Sequence, residues 1–445
     1  MESLDDWMER QYRHSASALM RSVSPVDIVK NRRGFGQIVI PHKGSIVASP
    51  VLASYDPEPD YFFHWYRDSA IVVEALRMLF EDAPGQKTLA HFADFVRFSL
   101  SLQALDGRQL SESTAWRNAV EPDFGKFLRS NEDLAAVHGA AVSGETRVNP
   151  DGTLDISSWP RPQNDGPAMR AVSLLRWRQC AGFDAELDMA VGALLRADLE
   201  FTRVHWRESC FDIWEEEKGL HYYTLRVAAA ALQGGADWYA QQAERDAAAA
   251  CRADATEILR ILDGYWREDE RFYCSRMLDK NARSSKELDI SVILAALHAA
   301  DSGATHSVHD PRMHATLARL EALFDAEYAI NRHRGAQRAP AMGRYAGDVY
   351  FSGGAYYFAT LAAAEFCFRA AARAPVTGVP AAQALLARGD AFLETVRAFT
   401  PPSGDLSEQF DQRTGAQSSA QQLAWSYAAF ISCTEARRRV IRGSA

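Results

Sequence analysis

Cysteine is scarce in this sequence and carries no pattern. Six occur in 445 residues, at Cys180, Cys210, Cys251, Cys274, Cys367 and Cys433, with no CxxC pair and no His/Cys grouping at metal-ligand spacing. That argues against a zinc module or a disulfide framework and leaves reduced, mostly buried thiols; no metal and no cofactor is expected. Basic charge is also in deficit, 49 Lys and Arg against 58 Asp and Glu, a net charge of −9. There is thus no global footprint for nucleic acid or an anionic membrane. No stretch approaches the ~20 apolar residues a membrane span needs. The first residues, MESLDDWMERQYRHSASALM, are charged and lack the apolar core of a secretory signal; a cytoplasmic location is the expectation. Gly/Ser linkers, low-complexity tracts, breaks in composition and clean repeats are missing too. The chain is therefore expected to form one domain over 1–445, with residues 1–34 peripheral.

What is present is ordinary globular composition, 47% hydrophobic and 24% charged, with 10 Trp, 15 Tyr and 22 Phe. Apolar residues recur at i, i+3, i+4 spacing in segment after segment. The spacing predicts helices near 4–21, 68–80, 88–105, 167–180, 187–206, 223–240, 242–266, 288–300, 313–328, 355–374, 380–400 and 419–440. A β-prone patch, GQIVIPHKGSIVAS (36–49), reads as a hairpin. About twelve helices in a continuous chain suggest an all-α fold, either a solenoid or a closed double ring. Long loops in a compact domain tend to be functional. The longest here runs from about 106 to 166 and is rich in Gly, Pro, Asn, Asp and Trp. Gathered at one end of the helices, such loops would form a pocket.

The loops repeat one palette. YFFHWYRD (61–68) sets Tyr61, Trp65, Arg67 and Asp68 before a helix, and SSWPRPQNDGPAMRA (157–171) sets Trp159, Arg161 and Asp165 before the next. FDIWEEE (211–217) holds Asp212, Trp214 and three successive glutamates, Glu215, Glu216 and Glu217. MGRYAGDVYFSGGAYY (342–357) offers Arg344, Asp348, Tyr350 and Tyr356, and GDLSEQFDQRTGAQ (404–417) offers Glu408 and Asp411. Aromatic faces stack on sugar rings, while Arg, Asp and Glu pair with vicinal hydroxyls. An isolated WEEE would be a solvated acidic turn; among four other loops of this kind it reads as part of a carbohydrate site.

These five segments, in this order, resemble the active-site loops of glycoside hydrolase family 15, the glucoamylases, and the likeness runs from about residue 35 to 435. The resemblance implies an (α/α)6 barrel of about twelve helices, in agreement with the independent helix count. It also implies an inverting exo-α-glucosidase that releases β-D-glucose from non-reducing ends of α-1,4-linked glucooligosaccharides. By the same resemblance Glu215 is the general acid and Glu408 the general base, which inverting enzymes hold ~6.5–9.5 Å apart to admit a water. Partial burial beside Trp214, with Glu216 and Asp212 nearby, is of the kind that raises the pKa of an acid. Tyr61, Trp65, Arg67 and Asp68 would hold the terminal glucose. Trp159 and Trp214 would provide aromatic surface, and Glu216, Arg344 and Tyr356 would meet the next sugar. Arg161, Asp165, Asp212 and Asp348 would support the loops. Glu217 has no matched role and is expected to face solvent; Trp425 is expected in the core.

Two departures bear on linkage: SGGAYY, with Tyr356 near a position where the fungal enzymes carry Trp, and Pro160 in place of a Gly after Trp159. The family also includes enzymes acting on α-1,6 linkages and on trehalose. The absence of a recognisable starch-binding module favours short soluble oligosaccharides, acted on by a monomer or weak homo-oligomer. A catalytically inactive sugar-binding homologue would have been favoured by loss of Glu215 or Glu408, and both are present. A protein-binding solenoid leaves the recurring Trp, Arg and carboxylates unexplained.

Overall fold

The structure is a computed structural model and describes residues 2–55, 57–279, 282–299, 303, 305–372 and 380–443. Twelve long helices run through the described residues: α1 Leu4–Met20, α2 Tyr66–Asp82, α3 Gln86–Leu102, α4 Asp165–Cys180, α5 Ala185–His205 and α6 Tyr222–Gln241. They continue as α7 Arg245–Asp263, α8 Ser291–Ala299, α9 Pro311–Glu327, α10 Tyr357–Ala371, α11 Ala382–Phe399 and α12 Ala424–Gly443. The expected helix ends at 300 and 374 lie outside the described residues.

Two kinds of helix alternate along the chain, and their burial tells them apart. In α7 only Ala248, Cys251, Ala255, Ile258 and Leu262 are buried, one stripe at three- and four-residue spacing. In α10 nearly every residue is buried, from Tyr357 to Cys367 without a gap. A helix apolar on one stripe lies on a surface, and one apolar all round lies inside. The even-numbered helices form the inner ring, α2 against α4, then α6, α8, α10 and α12, which closes back on α2. The odd-numbered helices pack outside them, α3 and α5 together over α2 and α4, α7 on α6, α9 on α8 and α11 on α10. Close approach is built in where needed: a Cβ on Gly389 of α11 would lie 2.4 Å from the Phe368 ring of α10. The result is an (α/α)6 barrel.

The N-terminal segment is not peripheral. Helix α1 buries Trp7, Met8, Tyr12 and Leu19 and packs on α12, completing the outer ring. The hairpin is displaced from its expected place: Lys30–Arg32 pairs antiparallel with Gln37–Val39 through a turn at 33–36, leaving 40–49 outside it. The long loop is organised into helical turns at Arg108–Glu112, Ala115–Asn118, Pro122–Phe127, Asn131–Ala135 and Gly139–Gly144. They close over a small second core of Phe98, Leu102, Val137, Val142 and Leu154. All six cysteines are unpaired and five are buried. No helix among the described residues is long and apolar enough to cross a membrane.

The inner helices all point the same way, and this positions the site. Their first turns carry Arg67, Asp68, Phe358 and Trp425 to one cavity, and their C-terminal halves carry Arg77, Arg176, Arg369 and Arg439 to the opposite end. Helices α2, α4, α6 and α10 have no side-chain N-cap. Several first N–H groups bond instead to carbonyls of the loops: Tyr66 N to Thr146 O, Tyr222 N to Ser275 O, Tyr357 N to Glu408 O and Ala424 N to Ala48 O. The loops are thereby stitched to the helix ends that carry partial positive charge.

Candidate active site

At the N-terminal end of the inner ring lies a cavity of about 260 Å3, several times the ~30 Å3 share of one liquid water. Tyr61, Trp65, Arg67, Asp68, Trp159, Trp214, Glu215, Glu216, Arg344 and Glu408 all line it. Five loops distant in sequence therefore converge. Glu215 lies in the loop entering α6 and Glu408 in the loop entering α12, three positions apart in a ring of six, so the two carboxyls approach the cavity from opposite sides.

Glu215 is held by two indoles. Trp65 Nε1 donates to Oε1 at 2.8 Å, and Trp159 Nε1 donates to Oε2. Arg67 Nη2 lies 3.7 Å from Oε1. Burial raises the pKa of this carboxyl, against the pull of Arg67, Arg147 and the two indole donors. The neighbouring carboxylates are not the cause, a correction to the sequence reading, because both are occupied elsewhere. Glu216 accepts from Arg344 Nη2 (3.1 Å), the Tyr345 hydroxyl (2.5 Å) and Lys286 Nζ (2.7 Å). Asp212 is kept below its ordinary value although burial opposes this, chiefly by Arg276.

Glu408 leads into the middle strand of a small three-stranded sheet. The next residues, Gln409–Phe410, pair on one side with Ala355–Tyr356 and on the other with Gln417–Ser418. Its main chain is fixed by Glu408 N to Ala420 O, 2.7 Å, and the Ser419 hydroxyl donates to Oε2. Burial raises its pKa to about 7; Ser419 and Arg344 oppose the rise, while Asp68 and Asp348 add to it. Two carboxyls that both retain protons above the ordinary carboxylate range thus face one cavity.

Between them stands a polar clamp. Arg67 contacts Asp68 and Asp165, each at 3.2 Å. The second contact depends on Gly166, where a Cβ would meet that of Tyr66 at 2.6 Å, so α4 can start this close to α2 only with glycine there. Asp68 Oδ2 is the oxygen that makes the 3.2 Å ion pair with Arg67 Nη2, while Arg67 Nε is buried with no hydrogen-bond partner within the protein. An arginine and a carboxylate side by side on the cavity wall suit vicinal hydroxyls. Arg344 is gripped through two bonds of 2.6 Å by Asp348. Arg161 braces its loop through Glu145, Asp155 and the Ser157 and Trp159 carbonyls.

Two expectations are overturned and one is extended. Tyr356 does not reach the cavity; it is fully buried behind Arg344, with its hydroxyl donating to Asp348 and accepting from Gln409. As the second residue of a two-residue strand its side chain is turned inward by the pairing with Gln409. Glu217 is not free in solvent: only a quarter exposed, it accepts from Arg276 (2.8 Å) and Ser284 (2.7 Å). Trp425 is buried, but it also lines the cavity, stacked on Phe358 at 4.4 Å and 10°. Ser419, Arg147 and Arg276 were not read from the sequence, and Tyr350, whose hydroxyl bonds that of Tyr61 at 2.7 Å, was noted only as a loop residue.

The sequence profile described as Glycosyl hydrolases family 15 matches residues 139–381 and 375–435. The chain belongs to glycosyl hydrolase family 15. Among its relatives, a glucoamylase of Neurospora crassa is 28% identical over 89% of this chain and 64% of its own length. Glucoamylase P of Amorphotheca resinae is 30% identical over 88% and 65%. A probable glucoamylase of Schizosaccharomyces pombe is 27% identical over 99% and 93%. The chain thus spans just under two thirds of the first two relatives and nearly all of the third. Of solved structures, a family 15 glucoamylase from Hypocrea jecorina superposes with a TM-score of 0.80 at 24% identity, covering 98% of this chain and 73% of that one; that likeness bears on the fold. In this family-15 chain the five segments that carried the resemblance are the five that meet at the cavity.

Proposed function

We propose that the protein is an inverting exo-acting α-glucosidase of glucoamylase type, releasing β-D-glucose from the non-reducing ends of α-1,4-linked glucooligosaccharides. The observation that carries this reading is the pair Glu215 and Glu408, approaching one cavity from opposite sides of the inner ring, each with its pKa raised by burial. In this reading Glu215 gives its proton to the glycosidic oxygen as the bond from C1 breaks. A water attacks C1 from the other face, and Glu408 accepts its proton. Attack opposite the departing oxygen inverts the α-linkage to β. Tyr61, Trp65, Arg67 and Asp68 hold the terminal glucose, with the Arg67–Asp68 pair meeting its hydroxyls. Glu216 and Arg344 meet the second sugar, and Trp159 and Trp214 supply apolar surface. The stacked Trp425 and Phe358 floor the cavity, so a chain end enters and an internal segment does not.

The names of the relatives support the substrate class, an α-glucan or glucooligosaccharide. We hold the cytoplasmic location and a monomeric or weakly associating state as parts of the same proposal. Hydrolysis of maltose by Glu215→Gln and Glu408→Gln tests the roles. Each should lose ~10²–10⁴-fold in kcat or more while remaining folded; near-normal turnover by either overturns its assignment.

A further inference from the structure

We propose that Arg276 is a positioning residue for the proton donor. The inference rests on the reading of Glu215 as the general acid. Glu215 has a φ of 65°, in the left-handed region that residues with a Cβ seldom adopt. Such a conformation persists only when the surroundings over-determine it. The turn that carries it is closed at both ends, by Asp212 N to Glu217 O at 3.1 Å and Glu215 N to Asp212 O at 2.9 Å. The carboxylate of Asp212 takes the N–H groups of Glu216 and Glu217 at 2.8 and 2.9 Å, fixing the main chain just beyond the acid.

Arg276 holds that arrangement in place. Its guanidinium, 1% exposed, bonds Asp212 at 3.2 Å, Glu217 at 2.8 Å and Asp289 at 2.5 Å. Asp289 Oδ2 in turn accepts the indole N–H of Trp214 at 2.9 Å, the residue directly before the acid. One cation thus anchors positions 212, 214 and 217, on both sides of Glu215. It stands on the strand Arg276–Leu278, which pairs with Lys218–His221 immediately after the turn. Arg276 is not among the residues lining the cavity, so its effect on the reaction passes through the turn.

A positioning role and a merely structural one differ in how they depend on the leaving group. Maltose needs a proton on the departing oxygen. A glucosyl fluoride does not: the C1–F bond breaks and fluoride leaves unprotonated. Displacing the acid therefore slows maltose far more than α-D-glucosyl fluoride. Arg276→Lys keeps the charge but not the three-way contact. It should lower kcat on maltose by ~10²-fold, the scale of a displacement of about 1 Å, with little change on the fluoride and with KM preserved. Glu217→Ala removes one leg at a side chain that is 25% exposed and should act in the same direction with a smaller loss; it decides the matter if Arg276→Lys fails to fold. Equal losses on both substrates, or none, for the folded variant overturn the inference. Glu215→Gln in the same assay separates the two readings. If it spares the fluoride and abolishes maltose turnover, the acid assignment stands and the Arg276 result is judged alone. If it affects both alike, the acid assignment itself has failed.

Discussion

Glu408→Gln should stabilise the protein at alkaline pH while removing its turnover. The carboxyl moves from an ordinary 4.5 to about 7 in the folded chain, and each tenfold change in proton affinity is worth ~1.4 kcal/mol. Keeping Glu408 ionised inside the native cavity therefore costs on the order of 3–4 kcal/mol. The sign follows from proton binding: the native state holds this proton more tightly than the unfolded chain does. Stability from this group is fully present below about pH 4.5, is lost as pH rises toward 7, and stays lost above that. Glutamine has nearly the same shape, accepts from the Ser419 hydroxyl and cannot ionise, so it avoids the cost. Urea unfolding of the two proteins, compared at pH 5 and pH 8, reads the effect as a gap that opens in favour of Glu408→Gln at the higher pH. A gap independent of pH would refute the argument, because it would mean Glu408 titrates in the folded protein as it does in water.

Ser419→Ala removes a donor that favours the charged form of Glu408. Its pKa should rise, and the acidic limb of the kcat/KM profile on maltose should move to higher pH; a shift to lower pH contradicts the hydrogen-bond assignment. Tyr356→Phe deletes a buried hydroxyl bonded to Asp348 and Gln409. It should lower stability by about 1–3 kcal/mol and leave the ratio of kcat/KM for maltose over isomaltose unchanged; a changed ratio would put Tyr356 back in the second-sugar subsite.

Much of the architecture was legible before the structure because helical periodicity is a local signal. The twelve segments were found near their observed limits, whereas the division into inner and outer helices emerged only from their burial. The site was legible for a related reason: Trp65, Arg67 and Asp68, or Trp214, Glu215 and Glu216, lie within a few residues of one another, so each loop carries its chemistry as a short contiguous motif. What escaped depends on partners remote in sequence. Glu217 read as solvated because nothing nearby pairs with it; its partner, Arg276, lies 59 residues on. The raised pKa of Glu215 was expected from partial burial together with adjacent carboxylates; burial does raise it, but Arg344 and Arg276 draw the carboxylates away. Tyr356 was misplaced because a two-residue strand has too little alternation to reveal which face each side chain takes. The hairpin near 30–39 was shifted for the same lack of length.

The most direct test of the account is the anomeric configuration of the first product. With maltose as substrate and NMR spectra recorded before mutarotation, the opposed placement of Glu215 and Glu408 predicts that glucose released from the non-reducing end appears as the β-anomer. Release of the α-anomer would mean a retaining reaction and would contradict the pairing of Glu215 as acid with Glu408 as base.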